Sequence, residues 1–380
     1  MKKITNYLLM SAALFILLGS CKKNQTSSDI EGLPNEKDGF VTLKSGVVVE
    51  KRGTDYIWEG DIILSKQQFD NLDKFGELLS SKPDYIGPEK ATHPAYNIPY
   101  QNTANGRTIA RAFSIYPTAY NLWAMVRIKY GSNMTLAQKQ KVHSALLEIQ
   151  SNTNIRFYNA TCEPLTDPVY GFAYPNIEFW STGAVDVSES KLGRQGGVQR
   201  INLADFSFDP WSGNSVIIHE ICHALGMRHE QTRIDRDTYV NINTSNLTQK
   251  GLANFAKPST DYYQSGAYDF NSVMGYSSYT SSASIVNNTS LPMYTKKDGS
   301  SVYQGISLSA LDRAWLNNFY LPYVARTDTY SELAPTVYKP DGTVMTSSER
   351  LSLQAQLNNG NPNPPNCCTL TNDLGKFTCP

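Results

Sequence analysis

Apolar residues along this chain follow a strand period in some places and a helix period in others, with long stretches that keep neither. Met125-Val126-Arg127-Ile128-Lys129-Tyr130 alternates apolar and polar and predicts a half-buried strand. Thr135-Leu136-Ala137-Gln138 has the capping-box spacing that opens a helix. Val142, Ala145, Leu146 and Ile149 then keep helical spacing to about Gln150, with His143 beside the stripe as a partly exposed helix residue. Further strands are expected at Ile155–Tyr158, Ile177–Trp180 and Val198–Leu203. A second helix begins near Asn214 and offers Val216, Ile217, Ile218, Ile221 and Leu225 for burial. After His229 the pattern loosens into turns and Tyr/Ser-rich stretches, as in a subdomain with little regular structure. A last amphipathic helix runs from about Ser309 to Phe319, with Leu311, Ala314, Trp315 and Phe319 on its apolar side.

The two ends lack this texture. Lys2-Lys3 precede an apolar run, Tyr7 to Leu18, that is too short to span a bilayer comfortably and reads as an export signal. Its end, Leu18-Gly19-Ser20-Cys21, resembles the bacterial lipoprotein cleavage box, which implies a lipid anchor at Cys21 to a bacterial membrane. An ordinary signal peptide with a coincidental cysteine is the alternative. Residues 22–53 are polar and read as a flexible tether. Residues 55–111 hold short apolar patches among turn residues such as Lys82-Pro83-Asp84 and Gly87-Pro88, a poor independent core that drapes over something else. Beyond Tyr320 the chain is polar, and residues 358–366 read as a stiff Asn/Pro linker. There are no internal repeats.

Composition narrows the classes. At 380 residues the chain holds one large domain or two ordinary ones, and its 34 basic and 34 acidic residues argue against a nucleic-acid partner. Five cysteines follow Cys21: Cys162, Cys222, and Cys367, Cys368 and Cys379 near the end. Export permits disulfides, but the pairing stays open, and Cys162 is either free or tied to the tail.

The chemistry concentrates in His219-Glu220-Ile221-Cys222-His223-Ala224-Leu225-Gly226-Met227-Arg228-His229-Glu230, which holds three of the five histidines. On a helix His219 and His223 share one face, where two imidazoles can ligate one ion. Glu220 lies about 100° around, near the metal but not aimed as a ligand. Gly226 can end the helix in the left-handed conformation and let the chain return His229 to the same ion. Three protein ligands leave a position for water, the pattern of a catalytic zinc site. Cys222 falls off the ligand face and reads as helix packing.

Together with its neighbours this stretch resembles the astacin branch of the metzincin endopeptidases. Glu230-Gln231-Thr232-Arg233-Ile234-Asp235-Arg236-Asp237 carries the likeness beyond the zinc motif. Gly193–Gln199 is similar to the glycine-rich edge strand on which that family lays out peptide substrate. Ser272-Val273-Met274-Gly275-Tyr276 resembles its Met-turn, and Ser307–Tyr320 its closing helix. Trp58-Glu59-Gly60-Asp61 resembles the F-x-G-D element of its propeptides, with Trp for Phe. Two departures stand out: Gly275 replaces the histidine that usually follows the Met-turn methionine, and the family's staple cysteines are largely missing.

The resemblance implies an α+β fold with a twisted mixed sheet and two main helices in an N-terminal subdomain. An irregular C-terminal subdomain closed by a helix would face it across the active-site cleft. With the leader and tail read above, the chain divides into segments 1–20 (signal), 21–111 (tether and, by the resemblance, inhibitory propeptide), 112–321 (by the resemblance, protease domain) and 322–380 (tail). One catalytic Zn2+ would be held by His219, His223 and His229. Glu220 would be the general acid–base. Tyr276 would ligate zinc at rest and stabilise the oxyanion, and Met274 would floor the site. Asp61 would ligate zinc and keep the enzyme latent until an activating protease cuts near Arg107 or Arg111. The new N-terminus would then settle beside Glu230, which is otherwise a solvated loop residue. Protein or peptide substrates would add as a strand along Gly197–Asn202. The competing class is a zinc-containing binding or adhesion protein on a protease scaffold, which would require the base or the open position to be lost.

Overall fold

The computed structural model describes residues 38–78, 101–102, 107–108, 123, 126–165, 175–257, 266–320 and 373–379, apart from Glu77, Asn154 and Gly196. The signal region 1–20, Cys21, Arg111, Cys367 and Cys368 lie outside the described residues.

The expected strands form as β7 (Val126–Tyr130), β8 (Phe157–Asn159), β9 (Asn176–Gly183) and β11 (Val198–Ala204). They pair parallel in the order β11-β9-β7-β8. The short β10 (Glu189–Lys191) adds antiparallel to β11, making the sheet mixed. Three helices, α2 (Leu136–Asn152), α3 (Ser215–Leu225) and α5 (Ala310–Phe319), share one core with the sheet, so the architecture is α+β. Thr135 and Gln138 close the capping box of α2, and Ser309 with Asp312 does the same for α5. Ile128, Phe179, Ile201, Leu146, Ile217, Cys222 and Met274 meet in one core. Cys222 is fully buried there with a free thiol. In α5 the buried side is Trp315 and Leu316, while Ala314 faces out.

Three sequence expectations need correction. First, β7 is buried on both faces rather than half-buried. Its polar positions are satisfied from an adjoining loop: Arg127 pairs with Glu163 and stacks on Tyr158, and Lys129 Nζ donates to Glu163 O at 2.6 Å. Polar residues in a strand mark a solvated face only when nothing covers it.

Second, the expected tether is strand from residue 39 onward. β1 (Gly39–Thr42), β2 (Val48–Arg52), β3 (Asp55–Trp58) and β4 (Ile62–Ile63) form an antiparallel meander. Helix α1 (Lys66–Phe75) follows, opened by a Ser65/Gln68 capping box. Val49, Tyr56, Trp58, Ile62, Leu64 and Leu72 build a core of their own, closed by Leu192 from beyond β10. The meander joins the main sheet through β4, parallel to β10, giving nine strands in the order β1-β2-β3-β4-β10-β11-β9-β7-β8. A two-stranded pair, β5 (Gln101–Asn102) and β6 (Arg107–Thr108), lies further along and contains Arg107.

Third, the last residues dock instead of trailing. Leu374 is 5% exposed inside the main core, and its carbonyl accepts from Tyr130 Oη at 2.7 Å. Phe377 meets the Tyr130 ring edge-on, and Cys379 is disulfide-bonded to Cys162.

The part after α3 has the expected irregular character: β12 (Val240–Ile242) and β13 (Tyr294–Lys296) form a two-stranded sheet, with a short helix α4 (Gln249–Asn254). Among the described residues no helix is long and apolar enough to cross a membrane.

Candidate active site

Helix α3 presents His219 and His223 on one face, and Gly226 ends it at φ 110°, a backbone setting that favours glycine. The Gly226 N–H returns to Cys222 O and His223 O, and the Met227 N–H to Cys222 O at 2.9 Å. This tight reversal carries His229 back over the helix.

The three Nε2 atoms form a triangle with sides of 3.1, 3.2 and 3.3 Å. His219 Nδ1 lies 2.8 Å from Val273 O and His223 Nδ1 2.7 Å from Met227 O. A carbonyl only accepts, so each of those Nδ1 atoms carries the proton and each Nε2 points a lone pair inward. Lone pairs held this close repel unless a cation lies between them. A tetrahedral zinc with bonds of about 2.0–2.1 Å has ligand–ligand edges of about 3.3 Å, which is the size of this triangle. Burial and the two neighbouring histidines push the His223 pKa well down, leaving a neutral ligand.

A fourth donor comes from the N-terminal meander. Between β3 and β4 the chain turns through Glu59 at φ 54° and Gly60 at φ 102°. A Cβ on Gly60 would lie 2.7 Å from the Asn254 side chain, so the turn has no room for one. It delivers Asp61 over the triangle, Oδ2 at 3.2 Å from His229 Nε2 and 3.6 Å from His219 Nε2, and Oδ1 at 3.5 Å from His223 Nε2. Asp61 Oδ1 is buried with no hydrogen-bond partner, as expected of a carboxylate oxygen meant for a metal. Burial opposes its ionisation, but the surrounding imidazoles, His229 foremost, hold the carboxyl well below its usual range.

Glu59 supports the same site, a role its sequence context did not reveal. Its buried carboxylate pairs with Arg228, lies 3.4 Å from His229 Nδ1, and accepts from Thr232 Oγ1 at 3.5 Å. The Arg228 guanidinium in turn stacks 4.2 Å over Trp58. A non-glycine residue at positive φ is the only local sign of this duty, and it is visible only in structure.

The other expected residues cluster around the centre. Glu220 is 2% exposed with Oε2 unpartnered, and burial followed by the charges of Asp61 and Glu189 drives its pKa well up. Tyr276 donates to Glu59 O at 3.2 Å and lies 3.4 Å from Asp61 Oδ2, its ring against His229. Met274 is fully buried in the turn beneath. Asp312 anchors that turn, accepting from Ser272 Oγ at 2.7 Å and Val273 N at 2.9 Å. A solvated Glu230 is not what the structure has. Its carboxylate accepts from Arg233 Nη1 at 2.9 Å and Asp269 N at 2.7 Å, and burial pushes its pKa up to about 7. No side chain was expected from Gly275, and the space beside it is bounded by Ser272 O and Glu230.

With this geometry in place, comparison with known proteins decides the family. Residues 116–321 match the family model "Astacin (Peptidase family M12A)". The chain belongs to the astacin family. Flavastacin from Elizabethkingia meningoseptica is 28% identical over 331 residues, covering 83% of this chain and 64% of flavastacin. Zinc metalloproteinase nas-14 from Caenorhabditis elegans is 30% identical over 205 residues, covering 52% of this chain and 37% of nas-14. The matched part is less than two thirds of either relative's length. The solved structure of high choriolytic enzyme 1, a hatching enzyme zinc-protease from Oryzias latipes, aligns at 26% identity and TM-score 0.43 over 52% of this chain and 88% of that one. Zinc, the metal named in nas-14, fits the three-histidine, one-aspartate donor set of this astacin domain.

One expectation drawn from the astacin likeness is wrong. Gly193–Gln199 and Gly197–Asn202 do not form an open edge. β11 is paired with β9 along its length and with β10 at Ile201 and Asn202, and the Gly193 N–H goes to His223 O at 2.8 Å. The edge of the catalytic sheet is β10, and β4 occupies its outer side. Three residues reading Glu-Ser-Lys carry no apolar period, so the sequence offered nothing to mark them as strand.

Proposed function

We propose that this chain is an exported zinc endopeptidase made as a latent zymogen. The observation that supports this best is Asp61 capping the His219–His223–His229 triangle while Glu220 stands nearby with an unpartnered carboxylate oxygen. Zinc held there would polarise a scissile carbonyl and acidify a water. Glu220 takes the proton from that water and passes it to the leaving amine. In the latent chain burial, then the charge of Asp61, raises the Glu220 pKa, and departure of the meander removes the Asp61 charge. Tyr276, whose phenol burial and Asp61 keep protonated, donates a hydrogen bond to the developing oxyanion.

Substrate would pair with the edge of β10 that β4 now fills, its main chain supplying most of the affinity. Latency follows from the same segment, since β4 blocks the edge and Asp61 the fourth coordination position. Release requires a cut near Arg107 or Arg111, and Glu230 is the carboxylate near which the new N-terminus would lie. Export and lipidation at Cys21 rest on the leader alone. Glu220→Gln is the test: zinc content and melting temperature should hold while peptide hydrolysis by the trimmed protein falls by about three orders of magnitude or more. Retained hydrolysis refutes the general-base assignment.

A further inference from the structure

The edge strand β10 carries two charged side chains, Glu189 and Lys191, that the reaction does not use. They flank Ser190, whose N–H donates to Asp61 O at 3.0 Å, so Glu189 lies beside the chain where it passes the metal site. Its carboxylate is fixed from both ends. Oε1 accepts from Asn202 Nδ2 of β11 at 3.1 Å, and Oε2 accepts from Arg52 Nη1 of β2 at 2.9 Å. The same guanidinium donates through Nη2 to Gly60 O at 3.0 Å. Arg52 thus bridges the edge-strand carboxylate and the main chain threading the cleft.

The two contacts differ in what activation leaves behind. Asn202 belongs to the catalytic sheet and stays; Arg52 belongs to the meander and goes with it. Lys250 of α4 pairs with Glu50, which also lies on β2, and makes no ion pair with Glu189 in the latent chain. Lys191 repeats the pattern with opposite sign: burial disfavours its charge and Asp55 of β3 supports it. The meander thus supplies the cation that faces Glu189, a guanidinium it also shares with Glu50 of its own strand at 3.1 Å. Burial also raises the Glu189 pKa against the pull of Arg52, so the carboxylate gains from any cation that takes that place.

We propose that Glu189 is a specificity-determining residue, selecting substrates that carry an arginine or lysine side chain next to the scissile bond, where Arg52 stands in for it in the latent chain. This rests on the endopeptidase reading above for the track the substrate takes, but recognition can be measured without turnover. Short polyalanine peptides with a single Arg, Ala or Glu moved through each position serve as probes. They are titrated calorimetrically into zinc-loaded protein freed of its meander by limited proteolysis and carrying Glu220→Gln. A charge-assisted hydrogen bond to a half-buried carboxylate predicts that at one position Arg binds about tenfold more tightly than Ala, with Glu weakest. Adding Glu189→Gln, which keeps the volume and a partner for Asn202, should abolish that preference. Glu189→Lys should invert it toward Glu. Melting temperature confirms that each variant is folded. Equal affinity for the Arg and Ala peptides at every position, or a preference that survives Glu189→Gln, overturns the proposal. An arginine preference in binding, joined to a wild-type protein that cuts no peptide, would sink the endopeptidase reading and leave the recognition site standing.

Discussion

Removing the Cys162–Cys379 bond by replacing both residues with serine tests whether the C-terminal peptide is part of the catalytic unit. The two cysteines are 217 residues apart. Loop-closure entropy for so long a span sets a ceiling of about 5 kcal/mol, and native disulfides commonly deliver roughly 2–4 kcal/mol. The peptide has other holds: Leu374 in the core, Tyr130 Oη on its carbonyl, and Asn159 Nδ2 donating to Asp373 O and Lys376 O at 3.0 and 2.9 Å. The double variant should therefore still fold, with its melting temperature lowered by roughly 5–15 °C at about 2–4 °C per kcal/mol for a domain of this size. Leu374→Ala in the oxidised protein should cost about 2–5 kcal/mol through the cavity it leaves. Combined with the serine pair it should cost distinctly less, because a peptide held only by noncovalent contacts can leave the core once Leu374 is truncated instead of keeping a cavity open; the two effects are coupled. Scanning calorimetry of the full chain in non-reducing buffer reads all four proteins. An unchanged melting temperature in the serine pair, or strict additivity with Leu374→Ala, would refute the docking argument.

Two further substitutions probe the frame of the metal site. Gly226→Ala forces an L-residue to φ 110°, beyond the ordinary left-handed well, and should cost about 2 kcal/mol or more. Because His229 follows that turn, zinc affinity measured by chelator competition should fall with it; unchanged affinity would mean the turn does not position His229. Asp312→Ala strands the Ser272 hydroxyl and the Val273 and Ser309 N–H groups, worth about 3 kcal/mol together. Since Val273 O orients His219, zinc should bind more weakly as well as the protein melting earlier; a loss of stability with undiminished zinc binding would separate the two.

What was legible in the sequence depended on periodicity and on local chemistry. Helices α2, α3 and α5 announce themselves by apolar spacing, α2 by its capping box as well, and the three histidines by helical geometry with a glycine stop. The Trp58–Asp61 element was recognisable as a unit, but the strands before it were not. Val48–Arg52 alternates half-buried and buried positions with Lys51 on the buried side, a polar residue that hides the strand period. The same blindness covered β10. Glu59, Arg228 and Glu189 matter through partners more than a hundred residues away or through a backbone setting, and neither leaves a local trace. The docked tail was invisible because Leu374 and Phe377 stand among polar residues, and their burial is decided by Tyr130 and Cys162 far upstream.

The central claim is that Asp61 shuts the zinc site of the unprocessed chain. Peptide hydrolysis by intact, zinc-loaded Asp61→Ala protein, with chain length verified before and after the assay, tests it most directly. The account predicts activity well above that of the intact wild type, abolished again when Glu220→Gln is added. An Asp61→Ala chain that binds zinc, stays folded and remains as silent as the wild type until it is cut would contradict it.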